Sequence, residues 1–305
     1  MFVLITGGAG FIGSHCADAL LAAGARVRVL DNLSTGKAAN LARHPQLEFI
    51  EGDIRDAQAV ARAFAGGVTH VLHLAAQVSV ATSCEQPLDS ASQNLTGFLN
   101  ILDAARLGGV AKIVYASSAA VYGTPVHLPL DEQSPVAPLS PYGLEKSIND
   151  QYAALYRSLY GTASMGMRFF NVYGPRQNPG SPYSGVISIF ADRIRRGEML
   201  TINGDGGQTR DFVYVGDVAR ANVAALTSGA QGICNVATGV SVTLLDLVAA
   251  LGQAAGREPQ LRFGPERGGD IRHSAVVPKR MREELGIVQT TPLAAGLRTL
   301  LESLA

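Results

Sequence analysis

Thr6-Gly7-Gly8-Ala9-Gly10-Phe11-Ile12-Gly13 stands between an apolar run at 2–6 and a helical pattern at 14–23, and its reading decides the fold. Glycine is required where a backbone turns tightly and comes close to phosphate oxygens, and the N-terminus of the helix that follows supplies unpaired N–H donors and partial positive charge. The spacing of Gly7, Gly10 and Gly13 is G-x-x-G-x-x-G. A glycine-rich turn alone is a weak signal. Placed directly after the first strand, it reads as the cradle of a dinucleotide pyrophosphate.

Working outward, short apolar runs at 2–6, 26–30, 47–51, 70–74, 112–117 and 164–169 read as buried strands. Helical patterns separate them at 14–23, 57–64, 94–107 and 142–160. Parallel strands need crossover connections, so this alternation predicts an α/β fold: a doubly wound parallel sheet of Rossmann type with a smaller mixed α+β domain. The Pro- and Gly-rich stretch 174–182 cannot be regular structure and marks the expected boundary. Residues 1–173 are the expected cofactor domain and 174–305 the expected substrate domain, with segments near 212–236 as candidates to rejoin the main sheet. Beyond the boundary we expect helices at 186–196, 244–255, 281–285 and 293–304, and brief strands near Thr201, at 212–215 and at 233–236.

Composition narrows the partners. The 25 Lys and Arg balance the 25 Asp and Glu, and charged residues make up only 16% of the chain, so there is no electrostatic footprint for nucleic acid or an anionic membrane. No apolar run reaches the length of a membrane span or a signal peptide core, which points to a cytoplasmic protein. Cys16, Cys84 and Cys234 are odd in number and follow no C-x-x-C spacing; all three read as small buried hydrophobes. His73, in an apolar strand, reads as a satisfied core histidine, and no cluster suggests a metal. Arg193-Ile194-Arg195-Arg196 reads as a solvated helix end.

Two acidic residues bear on the cofactor. Asp31 ends the second strand, where a carboxylate accepts from adenosine ribose hydroxyls and repels a 2′-phosphate; this favours NAD over NADP. Asp53, followed by Ile54 after the third strand, either faces the adenine or caps a helix. Farther on, Tyr142-Gly143-Leu144-Glu145-Lys146 places a phenol and an ammonium on one helical face. A phenol ordinarily titrates near pH ~10, so its use as a base requires stabilisation of the phenolate, and the ammonium of Lys146 and a positive nicotinamide ring both act in that sense. Ser117-Ser118 ends the fifth strand upstream.

These residues resemble the extended short-chain dehydrogenase/reductase family, and within it the nucleotide-sugar epimerases of the UDP-glucose 4-epimerase type. The resemblance runs along the whole chain, through 6–15, 31–36, His73-Leu74-Ala75-Ala76, 117–123, 142–146, 168–176, 210–215 and Arg267-Gly268-Gly269-Asp270. It implies a catalytic Ser118, Tyr142 and Lys146. It also implies NAD contacts from Phe11, Ile12, Asn32, Ser34, Thr35, Gly36, Leu74, Ala75, Ala76, Gln77, Asn94 and Phe170. A UDP-sugar substrate would be held by Asn171, Val186, Arg210, Arg267 and Asp270, with Arg210 and Arg267 on its diphosphate; Arg176 has a weaker case. Ser274, four residues beyond Asp270, stands where the resemblance places a sugar-pocket residue, and its small side chain leaves room for an N-acetyl group. Nucleotide-sugar 4,6-dehydratases share the fold, but similar enzymes carry an acid pair where this chain has Ala119 and Ala120. A non-catalytic dinucleotide-binding relative would lack the Tyr-Lys pair. In similar proteins the helices at 94–107 and 142–160 form a dimer interface, and the apolar Leu95, Phe98, Leu99, Leu102, Ile148, Tyr152, Leu155 and Leu159 predict a homodimer.

Overall fold

The computed structural model describes residues 1–178, 185–266 and 271–304. Its strands are β1 (Phe2–Thr6), β2 (Arg26–Asp31), β3 (Leu47–Glu51), β4 (His70–His73), β5 (Lys112–Ser118), β6 (Ser164–Phe169), β7 (Asn171–Tyr173), β8 (Leu200–Asn203), β9 (Thr209–Tyr214), β10 (Gly232–Val236), β11 (Ser241–Thr243) and β12 (Leu261–Gly264). Seven of them form one sheet in the order β10-β6-β5-β4-β1-β2-β3, parallel throughout.

Side chains alternate across a strand, and β1 divides accordingly between two cores. Val3 and Ile5 pack with Cys16, Leu20, Val218 and Ala221, beneath the helices Phe11–Ala22 and Val215–Thr227. Phe2 and Leu4 pack with Val60, Phe98, Ile101 and Leu102, beneath the helices Ala57–Phe64 and Gly97–Leu107. Both faces of the sheet are therefore covered, as near-continuous apolar strands require.

The chain after residue 174 does not stay in one place. Val186–Arg196, Leu244–Ala255 and Leu293–Ser303 enclose a separate core with Leu200, Ile202 and Phe212, beside the small sheets β11-β9-β7 and β12-β8. Yet β10 completes the main sheet beside β6, and Val213, Val218, Cys234, Met281 and Leu285 belong to the first core.

Several elements differ from the sequence reading. Residues 212–215 end a strand and begin the helix Val215–Thr227 directly, with no loop between the two and no side-chain cap at Tyr214 to mark the helix start. The helix expected at 94–107 begins as a π turn, Ser92–Thr96, before regular geometry resumes at Gly97. The helix expected at 281–285 spans Lys279–Glu283. Cys16 and Cys234 are buried, but Cys84 is exposed on the short helix Val80–Glu85, so it is not a core residue. Phe98 and Leu102 are wholly buried against the sheet, and so cannot serve an interface, whereas Tyr152, Leu155 and Leu159 are exposed. Among the described residues no helix is long and apolar enough to cross a membrane.

Candidate active site

The strand order reverses at β1, whose neighbours β2 and β4 lead in opposite directions across the sheet, and this is where such folds bind ligands. The glycine loop occupies that point. Gly7 has φ +70°, and a Cβ there would lie 2.6 Å from the amide nitrogen of Ala75. At Gly13 a Cβ would fall 2.2 Å from the Gly7 carbonyl. Helix and loop approach closely only because both positions lack side chains.

A cavity of about 350 Å³ lies along the carboxyl ends of the strands. Gly7, Gly10, Phe11, Ile12 and Gly13 line it together with Asp31, Asn32, Ser34, Thr35, Asp53, Ile54, Leu74, Ala75, Ala76, Ser118, Tyr142, Lys146 and Phe170. Gly36, Gln77 and Asn94 do not. Gly36 packs beneath the loop, where a Cβ would stand 2.9 Å from the carbonyl carbon of Ala9. Asn94 is buried, and its amide donates to the Gln77 carbonyl at 2.9 Å and accepts from the Gln77 N–H at 2.9 Å. These three shape the wall from behind.

Asp31 is buried and accepts from the Ala9 N–H at 2.9 Å and the Leu33 N–H at 2.8 Å, which fixes its carboxylate at the rim. Asp53 caps no helix; Asp56 does that by accepting from the Gln58 N–H. Hydrogen bonds from Arg55, helped by Asn32, hold the Asp53 carboxyl down at about 2 despite partial burial. A glycine cradle that Cβ atoms would fill, a helix N-terminus facing it and an acidic rim formed by Asp31 and Asp53 are the chemistry a dinucleotide such as NAD requires.

Ser118 leaves β5 extended, and its hydroxyl accepts from the Ala120 N–H at 3.1 Å while it hydrogen-bonds the phenol of Tyr142. Ser140 caps the helix Pro141–Tyr160, which carries Tyr142 and Lys146 one turn apart. The Lys146 ammonium lies 5.8 Å from the centre of the Tyr142 ring and donates to the Ala116 carbonyl at 3.1 Å. Burial pulls its pKa down to about 8, against Asp150 and Glu145, which raise it. The expected lowering of the Tyr142 pKa does not appear in the protein alone. Burial pushes the phenol up, the nearby Glu145 adds to that, and the Ser118 hydrogen bond only partly opposes both. His73 is the satisfied core residue expected of it: its Nδ1 lies 2.8 Å from Thr6 Oγ1, and burial, then Lys146, drives it down to about 3.

Behind the end of β5, Ser117 donates to Asp150 at 3.2 Å, and Arg168 donates to the same oxygen through Nε and Nη2 at 3.1 and 3.0 Å. Arg168 also meets the Tyr122 hydroxyl at 2.9 Å. A buried ion pair that is also hydrogen-bonded on its flanks fixes β5, β6 and the helix Pro141–Tyr160 to one another.

A second cavity, of about 690 Å³, adjoins the first and shares Val172 and Gln177 with it. Asn171, Val186 and Arg210 line it, as expected, along with Phe190, Arg193, Thr201, Asn203 and Gln208. The run 193–196 is only partly the solvated helix end expected of it: Arg195 and Arg196 are exposed, but Arg193 faces this cavity. Arg210 donates to the Ile271 carbonyl at 2.6 Å, and the Asn171 amide donates to the Asp211 carbonyl at 3.1 Å. Asp211 itself accepts from Thr238 and Gly239, which ties β9 to the end of β10. Arg176 pairs with Asp18 at 2.7 Å. Ser274 lies beside Thr209 and Ser241 and lines neither cavity. Arg267 and Asp270 lie outside the described residues, and among those described no cluster could hold a metal ion. Gln93, Gln177 and Phe190 escaped the sequence reading because no motif marks them.

Residues 3–237 match the NAD dependent epimerase/dehydratase family. The chain belongs to that family. The UDP-glucose 4-epimerase of Thermotoga maritima, solved with UDP-glucose, superposes with a TM-score of 0.95 at 39% identity, covering 100% of this chain and 98% of that one. A Thermus thermophilus UDP-glucose 4-epimerase complexed with NAD gives 0.91 at 41% identity, covering 99% and 98%. The UDP-N-acetylglucosamine 4-epimerase of Methanobrevibacter ruminantium, complexed with UDP-N-acetylmuramic acid, gives 0.93 at 35% identity, covering 99% and 97%.

Proposed function

We propose that this family member is a UDP-sugar 4-epimerase with tightly held NAD, interconverting UDP-glucose and UDP-galactose and also their N-acetylated counterparts. The observation that carries the reading is a Ser-Tyr-Lys trio in one cavity that meets a second, cation-bearing cavity at Val172 and Gln177. Ser118, Tyr142 and Lys146 line the cavity with the dinucleotide cradle, and the adjoining cavity presents Asn171 and Arg210, suited to an anionic tether.

In this reading Tyr142 accepts the proton of the sugar 4-hydroxyl, Ser118 hydrogen-bonds the same oxygen, and Lys146 supplies the nearby positive charge. NAD held in that cradle would supply reversible hydride chemistry at C4, so that no net oxidation results. Arg210, with Arg267, keeps the diphosphate anchored while the 4-keto sugar turns. Ala119 and Ala120 offer no acid for eliminating water, which disfavours a 4,6-dehydratase. Residues 1–173 with the returning β10 hold the cofactor, and the remainder holds the sugar nucleotide. The exposed Tyr152, Leu155 and Leu159 on the helix Pro141–Tyr160 form a homodimer face in a cytoplasmic enzyme.

The test is to incubate the purified protein with UDP-galactose, UDP-glucose and their N-acetylated counterparts and follow the configuration at C4. Inversion with both classes is expected, and no inversion with any of the four contradicts the reading.

A further inference from the structure

Glu145 is a carboxylate that the catalytic trio does not use. It stands between Tyr142 and Lys146 in the sequence, yet only 4% of it is exposed, and among the described residues no arginine or lysine forms an ion pair with it. Its Oε2 instead accepts from the Ser90 hydroxyl at 2.9 Å and the Asn94 amide at 2.6 Å. Both donors are themselves buried, 1% and 2% exposed. A buried charge held by neutral donors is costly unless those bonds are well made, so the arrangement makes the position of each partner exacting.

The donors belong to one segment. Asn94 exchanges two hydrogen bonds with the backbone of Gln77, and the Gln77 side chain donates to Ser90 Oγ at 3.2 Å and to the Ser79 carbonyl at 2.9 Å. The flanking residues Ala75, Ala76, Val78 and Gln93 line the dinucleotide cavity. Asn94 lies within the π turn Ser92–Thr96, a local departure from α geometry that recurs at functional sites. A second tie runs the same way, from the Tyr142 N–H to Ser83 Oγ at 3.1 Å. The wall of the cofactor cavity and the start of the helix Pro141–Tyr160 are thus joined by the Glu145 carboxylate and by the bond from Tyr142 to Ser83.

We propose that Glu145 is a positioning residue that clamps the Gln77–Asn94 segment to the catalytic helix, so that the cavity wall is set for NAD and Tyr142 is set against it. This rests on the reading of the cavity as an NAD site, and the experiment separates the two. Bound NAD and its dissociation constant are measured on purified wild type, Glu145→Ala, Glu145→Gln and Ser90→Ala, alongside kcat and KM for UDP-glucose. The glutamine keeps an oxygen that accepts from both donors; the alanine keeps none. Loss of hydrogen bonds to a charged acceptor predicts at least about tenfold weaker NAD binding in Glu145→Ala, with Glu145→Gln restoring most of it. Ser90→Ala should weaken NAD by a smaller factor and lower kcat more than it raises KM. Should Glu145→Ala not fold, Ser90→Ala and Glu145→Gln decide alone. Unchanged NAD affinity and kcat in Ser90→Ala, or a Glu145→Gln as impaired as the alanine, overturns the clamp. Wild type that binds no NAD overturns the cavity reading instead.

Discussion

Single residues here are governed by burial as much as by partners. His73 illustrates the sign. Its folded pKa, about 3, lies below the ordinary value of 6.5, so the unfolded chain takes up a proton at pH values where the native chain does not. Stability from this residue is complete above pH 6.5 and declines as pH falls toward 3, by up to about 1.4 kcal/mol for each unit. Urea unfolding at pH 7 and pH 5 should show that loss, and His73→Gln should flatten it. Tyr142 shows what a sequence leaves out. The Tyr142 and Lys146 spacing was legible because four residues bring side chains together on any helix. The desolvation of the phenol, and the charge of Glu145 beside it, depend on what packs around them.

At the scale of elements, the glycine loop was readable because its chemistry is local: strand, tight turn, helix N-terminus. Gly13→Ala places a methyl group 2.2 Å from the Gly7 carbonyl, where only backbone could yield. Such overpacking should cost about 1–3 kcal/mol and strip the protein of bound NAD; a variant as stable as wild type and equally loaded would show that the close approach is dispensable. The start of the helix Val215–Thr227 was not readable, since it follows β9 with no loop and no side-chain cap, and its first residue belongs to the strand's apolar run. The π turn at Ser92–Thr96 was hidden for a similar reason: its residues satisfy a helical pattern, and tertiary bonds through Asn94 select the wider turn. Gln93, Gln177 and Phe190 reach their cavities only through long-range packing, so local spacing carried no trace of them.

Across the whole molecule, the return of β10 to the edge of the main sheet ties the second half of the chain to the first, and Asp211 extends that tie to β9 and the Arg210 side of the second cavity. The proposed dimer face continues along the same helix that carries Tyr142 and Lys146. Leu155→Arg with Leu159→Glu should shift the protein to monomer by light scattering; a wild type already monomeric at micromolar concentration would remove that face. The central claim is that Tyr142 moves a proton during epimerisation in which the cofactor ends each cycle unchanged. The most direct measurement incubates wild type and Tyr142→Phe with UDP-galactose and follows both the C4 configuration and absorbance of reduced nicotinamide. The account predicts inversion by wild type with no accumulating reduced cofactor, and a loss of at least about 100-fold in Tyr142→Phe with NAD still bound. Turnover of Tyr142→Phe near the wild-type rate, or stoichiometric reduction of NAD, would contradict it.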